Sequence, residues 1–292
     1  QILWFLVSFN FRLIMMLKRF LSTSNLSFTR LMSSKNSNLV LTSSKDRIFY
    51  ISINRPEKKN CVNHETAKEL IKAFSDFEAD ESCDIAIFTG EGGTFCAGYD
   101  LSEVSEKKFP QGPEAAEFLS KYRFMGPSMM RLSKPLIAAI EGFAVAGGFE
   151  LSLLADMRVS SETSKFGVLC RRFGVPLLDG GTIRLPAIVG FSRSMDLILT
   201  GRQIDAKEAY NWGIINRLCP PGSALSEAKK LAQEILQNPQ ACLRADRLSA
   251  YHATFDAQDY QSAFDFELTN GIPVLDEAAR GATKFIKKQH KL

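Results

Sequence analysis

Apolar residues in this chain change their spacing from segment to segment, and the changes mark out its elements. In "DRIFYISINRPEKKN", Ile48 and Tyr50 alternate with Phe49, Ile51 and Ile53, so both faces of the segment are apolar. That pattern predicts a strand buried on both sides, stopped at Arg55-Pro56. "NHETAKELIKAFSDFEAD" then switches to helical spacing, with Asn63 as N-cap, Glu65 in the first turn, and Leu70, Ile71, Phe74 and Phe77 on one face. "DIAIFTGEGG" is a short apolar strand running into glycines. "KPLIAAIEGFAVAGG" repeats the theme, and a helix is expected to open at Glu150. "DMRVSSETSKFGVL" supplies another strand and a polar turn.

Strands thus alternate with helices, and glycine-rich turns fall at strand ends, the signature of an α/β layer. Beyond Ser223 the pattern becomes helical throughout: "ALSEAKKLAQEILQ", "QACLRADRLSAYHATF", "YQSAFDFELTNG" and "LDEAARGATKFIKK". The expected organisation is an N-terminal segment (1–45), an α/β core (46–222) and a C-terminal helical region (223–292), with no polar linker between the last two.

Charge alters the picture only at the N-terminus. Residues 1–45 carry six basic residues and no acid, although the net charge of the whole chain is only +4. The remainder therefore holds slightly more acids than bases, which gives a nucleic-acid partner no support. From Met16, "MLKRFLSTSNLSFTRLMSSKNSN" is basic, Ser-rich and acid-free, the composition of a mitochondrial transit peptide. A mitochondrial matrix location is expected; the terminal "HKL" loosely resembles a peroxisomal tripeptide and leaves that compartment as the alternative. "QILWFLVSFNFRLIMM" is apolar but interrupted by Asn10 and Arg12, and no membrane span is expected.

Several chemistries find no footing. The six cysteines show no CxxC and no regular spacing, and the three histidines are far apart, so a metal site is not expected and the thiols read as reduced and mostly buried. "GEGGTFCAG" follows a strand but lacks the GK[ST] ending of a phosphate loop and does not fit GxGxxG. There is no GxSxG elbow.

Two bends share one logic. In "GGTFCAGYD", Ala97 and Gly98 leave backbone N–H groups uncovered. In "AVAGGFE", Gly147 and Gly148 do the same before a helix. If the bends face each other across a pocket, one amide from each can hold a developing oxyanion. Taken alone, glycine turns after strands are mostly structural.

The blocks "GGTFCAGYDL", "KPLIAAIEGFAVAGGFELSLLADMRV", "GVPLLDGGTIRLPAIVG" and "LILTGRQIDAKEAYNWGIINRL", in this order, resemble the enoyl-CoA hydratase/isomerase (crotonase) superfamily from about Asp46 to Leu218. The resemblance implies a spiral of ββα turns, C-terminal helices that build a homotrimer or a hexamer, and an acyl-CoA thioester substrate whose coenzyme A is no separate cofactor. It further implies that the amides of Ala97 and Gly147 hold the thioester oxygen, and that Gly98, Tyr99 and Asp100 lie along the CoA channel. Fatty-acid or branched acyl-CoA metabolism is the implied setting.

Within that pattern Glu150 gains a role. It would sit beside the oxyanion hole, near the α and β carbons, where a carboxylate moves a proton or orients water. Hydratases of the family carry a second glutamate further on, and here the corresponding step is "FGVLCRRFG" with Cys170 in its place. A thiol with an unperturbed pKa of ~8.5 replaces a carboxylic acid poorly. Asp179 is the candidate for the second carboxylate, its alternative being a cap for the following helix. Arg171 and Arg172 are candidates for an acyl-chain carboxylate or a CoA phosphate, with plain surface exposure the competing reading. Three functions stay open: hydration using Glu150 and Asp179, double-bond isomerisation using one carboxylate, and CoA binding without catalysis. The loop from roughly Ser105 to Phe124 is expected to flank the acyl end.

Overall fold

The computed structural model describes residues 38–106 and 112–289. The chain divides into two units, 1–38 and 39–292. The predicted targeting segment lies almost wholly outside the described residues, as do the terminal "HKL" and residues 107–111 of the loop expected at the acyl end.

The second unit opens with β1 (Val40–Lys45), which pairs antiparallel with β2 (Ile48–Ile53). This corrects the boundary drawn at residue 46. Only Val40 of β1 is buried, so an edge strand of Ser, Thr and Lys carries almost no apolar signal to read. β2 is followed by α1 (His64–Ala79) and β3 (Ile85–Gly90), with β2 and β3 parallel. Asn63 caps α1 as expected, its side chain accepting from the Thr66 amide at 2.9 Å.

α2 (Leu101–Ser105) and α3 (Pro113–Lys121) follow, so much of the expected loop is helical. Next come β4 (Leu136–Ile140), β5 (Phe143–Val145) and α4 (Gly147–Ser152), which begins three residues earlier than predicted and takes Glu150 into its first turn. β6 (Met157–Ser161) and β7 (Lys165–Gly167) lead to α5 (Gly181–Val189) and α6 (Phe191–Thr200). β8 (Gln203–Asp205), α7 (Ala206–Asn211) and β9 (Arg217–Cys219) complete the strands.

A six-stranded sheet in the order β1-β2-β3-β4-β6-β9 faces a smaller one in the order β5-β7-β8. Twice, at β4-β5-α4 and β6-β7-α5, the chain steps from a strand of the large sheet to a strand of the small one and then into helix, as expected of a ββα spiral. Period-two alternation distributes the large sheet's side chains. Phe49, Ile51 and Phe88 pack into one core with Phe74 and Phe77 of α1, while Ile48, Ile85, Ile87 and Ile137 point into a second.

That second core is closed by Ala224, Ala228, Leu231 and Ala232 of α8 (Ala224–Leu236). The boundary at residue 223 therefore cuts through the core: α8 roofs the large sheet, and its alanines let the helix approach closely. The remaining helices are α9 (Gln240–Phe255), α10 (Tyr260–Gly271) and α11 (Leu275–Gln289). Among the described residues, no helix is long and apolar enough to cross a membrane.

Candidate active site

Backbone hydrogen bonds bring the two glycine-bearing bends together. Cys96 pairs with β5 on both sides: its amide donates to the Phe143 carbonyl at 2.8 Å, and its carbonyl accepts from Val145 at 3.1 Å. A Cβ placed on Gly98 would lie 3.2 Å from the Gly147 nitrogen. The bends are in contact, as the sequence reading required.

The amide assignment at the first bend needs correction. The Ala97 N–H donates to the Lys59 carbonyl at 3.0 Å, so it is spent on the fold. Two residues on, the Val62 amide and carbonyl pair with Gly98 and Asp100, which leaves the Tyr99 amide between them without a protein acceptor among the described residues. The Gly147 amide, at the start of α4, is unpaired in the same sense. The available pair is therefore Tyr99 and Gly147. Sequence reading placed Tyr99 along the CoA channel but gave the amide role to Ala97, because the parallel bridge to Val62, which alternates engaged and free amides, is a long-range contact.

Both residues line a cavity of about 470 Å³ with Glu150, Cys170 and Asp179; most of its remaining wall is apolar, including Met125, Val145, Leu169 and Val175. Two binding assignments change here. Asp100 is buried in an ion pair with Arg55 at 3.0 Å and caps α2 through the Ser102 amide at 3.1 Å. It and Gly98 shape the bend and do not line the cavity. Ala97 and Tyr99 do, and the Tyr99 hydroxyl donates to Glu103 at 2.6 Å.

Glu150 is only 3% exposed and Asp179 only 4%. The amides of Asp179 and Gly181 both donate to Oε1 of Glu150 at 2.9 Å. Asp179 is held at Oδ1 by the Met125 amide (2.9 Å) and the Ser128 hydroxyl (2.7 Å). Each carboxyl is thus anchored through one oxygen, and neither Oε2 of Glu150 nor Oδ2 of Asp179 has a protein partner among the described residues. Burial, and then the charge of Asp179, push the Glu150 carboxyl up to about 7. Burial raises Asp179 too, against its bonds to Ser128 and Met125 and the nearby Arg123 and Arg184.

Cys170 shares the cavity, and burial followed by the Glu150 charge pushes its thiol up, away from thiolate. Arg171 and Arg172 point elsewhere: their Nε atoms donate to the carbonyls of Ile198 (3.3 Å) and Gly201 (2.9 Å), around the C-terminal end of α6. Neither lines the cavity. All six cysteines are free thiols, four of them buried. No group of three or more potential metal ligands occurs among the described residues.

A cavity holding two unpaired amides and two half-anchored carboxyls suits proton transfer beside a developing oxyanion, and the class this defines is borne out by comparison. The sequence model of the family "Enoyl-CoA hydratase/isomerase" matches residues 43–291. "Enoyl-CoA hydratase EchA19" of Mycobacterium tuberculosis is 33% identical over 262 residues, 85% of this chain and 94% of that protein. "Probable enoyl-CoA hydratase 2, mitochondrial" of Arabidopsis thaliana is 37% identical over 196 residues, 67% of this chain and 64% of that protein. The crystal structure of enoyl-CoA hydratase EchA1 from Mycobacterium marinum superimposes with a TM-score of 0.77 at 33% identity, covering 86% of this chain and 96% of that one. The chain belongs to the enoyl-CoA hydratase/isomerase family.

Proposed function

We propose that this protein adds water across the double bond of α,β-unsaturated acyl-CoA thioesters, as an acyl-CoA enzyme of hydratase type. The observation that carries the reading is the pairing of Glu150 and Asp179, each with one oxygen free toward a cavity that also presents the Tyr99 and Gly147 amides.

The thioester oxygen accepts from those two amides, which stabilise the charge that develops there as the enolate forms. Burial, and then the charge of Asp179, raise Glu150 to about 7, so Glu150 carries a transferable proton at and below neutral pH. Ionised Asp179 takes a proton from water while its oxygen bonds to the β carbon, and Glu150 delivers its proton to the α carbon. The proton left on Asp179 returns to Glu150 through solvent. Coenzyme A is part of the substrate, and no further cofactor enters the scheme.

Mixing the purified protein with crotonyl-CoA, and with longer and branched enoyl-CoAs, should abolish the enoyl absorbance. A panel without turnover overturns hydration. The thioester carbonyl of a bound acyl-CoA should also shift to lower infrared frequency, reporting the two amide bonds.

Cys170, where a second glutamate is expected, favours a second reading, isomerisation of a 3-enoyl-CoA by Glu150 alone. A group near pH 7 both removes and returns a proton. Conversion of a 3-enoyl-CoA to the 2-enoyl product without hydration would select it.

The apolar side chains exposed on α9 to α11, among them Phe255, Phe264, Leu268 and Phe285, support a homotrimer or hexamer, which light scattering of the purified chain tests. The basic N-terminal composition supports import into the mitochondrial matrix. An Arabidopsis relative named "Probable enoyl-CoA hydratase 1, peroxisomal", 36% identical over 195 residues, keeps the peroxisome as the alternative. Imaging of a C-terminally tagged protein separates the two.

A further inference from the structure

Arg184, on α5, does not line the catalytic cavity, yet its guanidinium ties together the segments that hold both carboxylates. Nη1 donates to the Asp179 carbonyl at 3.1 Å and Nη2 to the Ser128 carbonyl at 2.5 Å. Ser128 in turn donates its hydroxyl to Oδ1 of Asp179, and the Asp179 amide donates to Oε1 of Glu150. One cation thus fastens the turn bearing Asp179 to the 3₁₀ turn Pro127–Met129, and three of the four bonds that orient the two carboxyls start from these segments, the fourth coming from the Met125 amide just ahead of the 3₁₀ turn.

The turn is shaped to admit this side chain. Gly180 has φ +96°, and a Cβ there would fall 2.2 Å from Nη1 of Arg184. A larger residue would strain the backbone and push the guanidinium away.

We propose that Arg184 is a positioning residue that fixes the geometry of Glu150 and Asp179 and sets the pH range over which the pair carries a single proton. The proposal rests on the acid/base reading of that pair given above. A fixed positive charge favours the ionised form of a neighbouring carboxyl, and Arg184 opposes the upward displacement of both groups. The other charged or titratable groups facing the pair are Cys170 toward Glu150, and Arg123 and the Tyr99 hydroxyl toward Asp179. Arg184 itself faces Tyr251 and Arg131 on its outer side. Replacing Arg184 by a neutral residue therefore moves both carboxyls upward together, because no remaining cation bonds to both turns.

The experiment compares wild type with Arg184→Lys, Arg184→Met and Arg184→Gln. In Arg184→Met and Arg184→Gln the bell of kcat/KM against pH should move to higher pH by about 0.5 unit or more. In Arg184→Lys it should stay near the wild-type position. In all three, kcat should fall by roughly tenfold or more through lost alignment, with KM changed less than about threefold, since Arg184 does not line the catalytic cavity. Carbon NMR of protein labelled at the glutamate carboxyl, assigned with Glu150→Gln, reads the Glu150 titration with no substrate present. This keeps the proposal testable if enoyl-CoA hydration itself fails.

An unmoved titration in a folded neutral variant overturns the proposal. So does an equal displacement in Arg184→Lys. Should Arg184→Met not fold, Arg184→Gln is decisive; should neither fold while Arg184→Lys does, Arg184 is a structural staple and the proposal falls.

Discussion

The backbone amide of Asp179 donates to Oε1 of Glu150 at 2.9 Å, so the residue whose side chain is one carboxylate also positions the other through its main chain. Side-chain replacement at 179 can therefore remove the acid/base partner without removing the bond that orients Glu150.

Glu150→Gln should lower kcat for hydration by roughly 10²–10⁴ while the protein still binds CoA thioesters. The amide oxygen can keep the two backbone bonds, so folding should persist by circular dichroism. Steady-state kinetics with crotonyl-CoA checks this; an unchanged kcat would favour binding without catalysis.

Asp179→Asn separates hydration from isomerisation. Its amide oxygen can accept from Met125 and Ser128 as Oδ1 does, but it takes no proton from water. Hydration should drop at least ~10²-fold, whereas an isomerase working through Glu150 alone would keep most of its rate. Parallel assays with a 2-enoyl-CoA and a 3-enoyl-CoA give the answer.

The Glu150 carboxyl, at about 7 in the fold, should impose the basic limb on kcat/KM. Above that pH the group has lost the proton it delivers to the α carbon, and the rate should fall by about tenfold per unit. In Glu150→Gln this limb should vanish.

The same group links pH to stability. Its folded pKa lies above its unfolded value, so the folded state binds the proton more tightly between about pH 4.5 and 7. Stability is retained below the unfolded value and lost as pH rises through the folded one, by up to about 3 kcal/mol. Urea unfolding at pH 5 and pH 8 should show Glu150→Gln gaining on wild type at the higher pH. An identical difference at both pH values refutes the linkage.

Gly148→Ala should disrupt the contact between the bends. A Cβ at 148 would sit 2.1 Å from the Cys96 carbonyl oxygen, a backbone atom in a strand-like pairing that cannot swing aside. A loss of roughly 2 kcal/mol or more is expected, with activity falling further than stability because the Tyr99 and Gly147 amides part. Thermal unfolding and kinetics on the folded fraction test both.

Much of this protein could be read from local pattern. Short apolar runs marked β2, β3 and β4, and helical spacing with an Asn63 cap marked α1, because each signal is complete within a few residues. β1 escaped because an exposed edge strand needs no apolar face. α8 was assigned to the wrong region because its alanines show their purpose only when the sheet they roof is present.

The sequence by itself determined the alternating strands and helices, the two glycine-bearing bends and the identities of Glu150, Cys170 and Asp179. Only the tertiary structure decided which amide at the first bend is free, since Lys59 claims Ala97 and the bridge to Val62 spares Tyr99. It also decided that Asp179 adjoins Glu150 and that Asp100 belongs to Arg55. The reason is physical: side-chain chemistry is written residue by residue, whereas a hydrogen-bond partner is settled by whichever distant segment packs within about 3 Å.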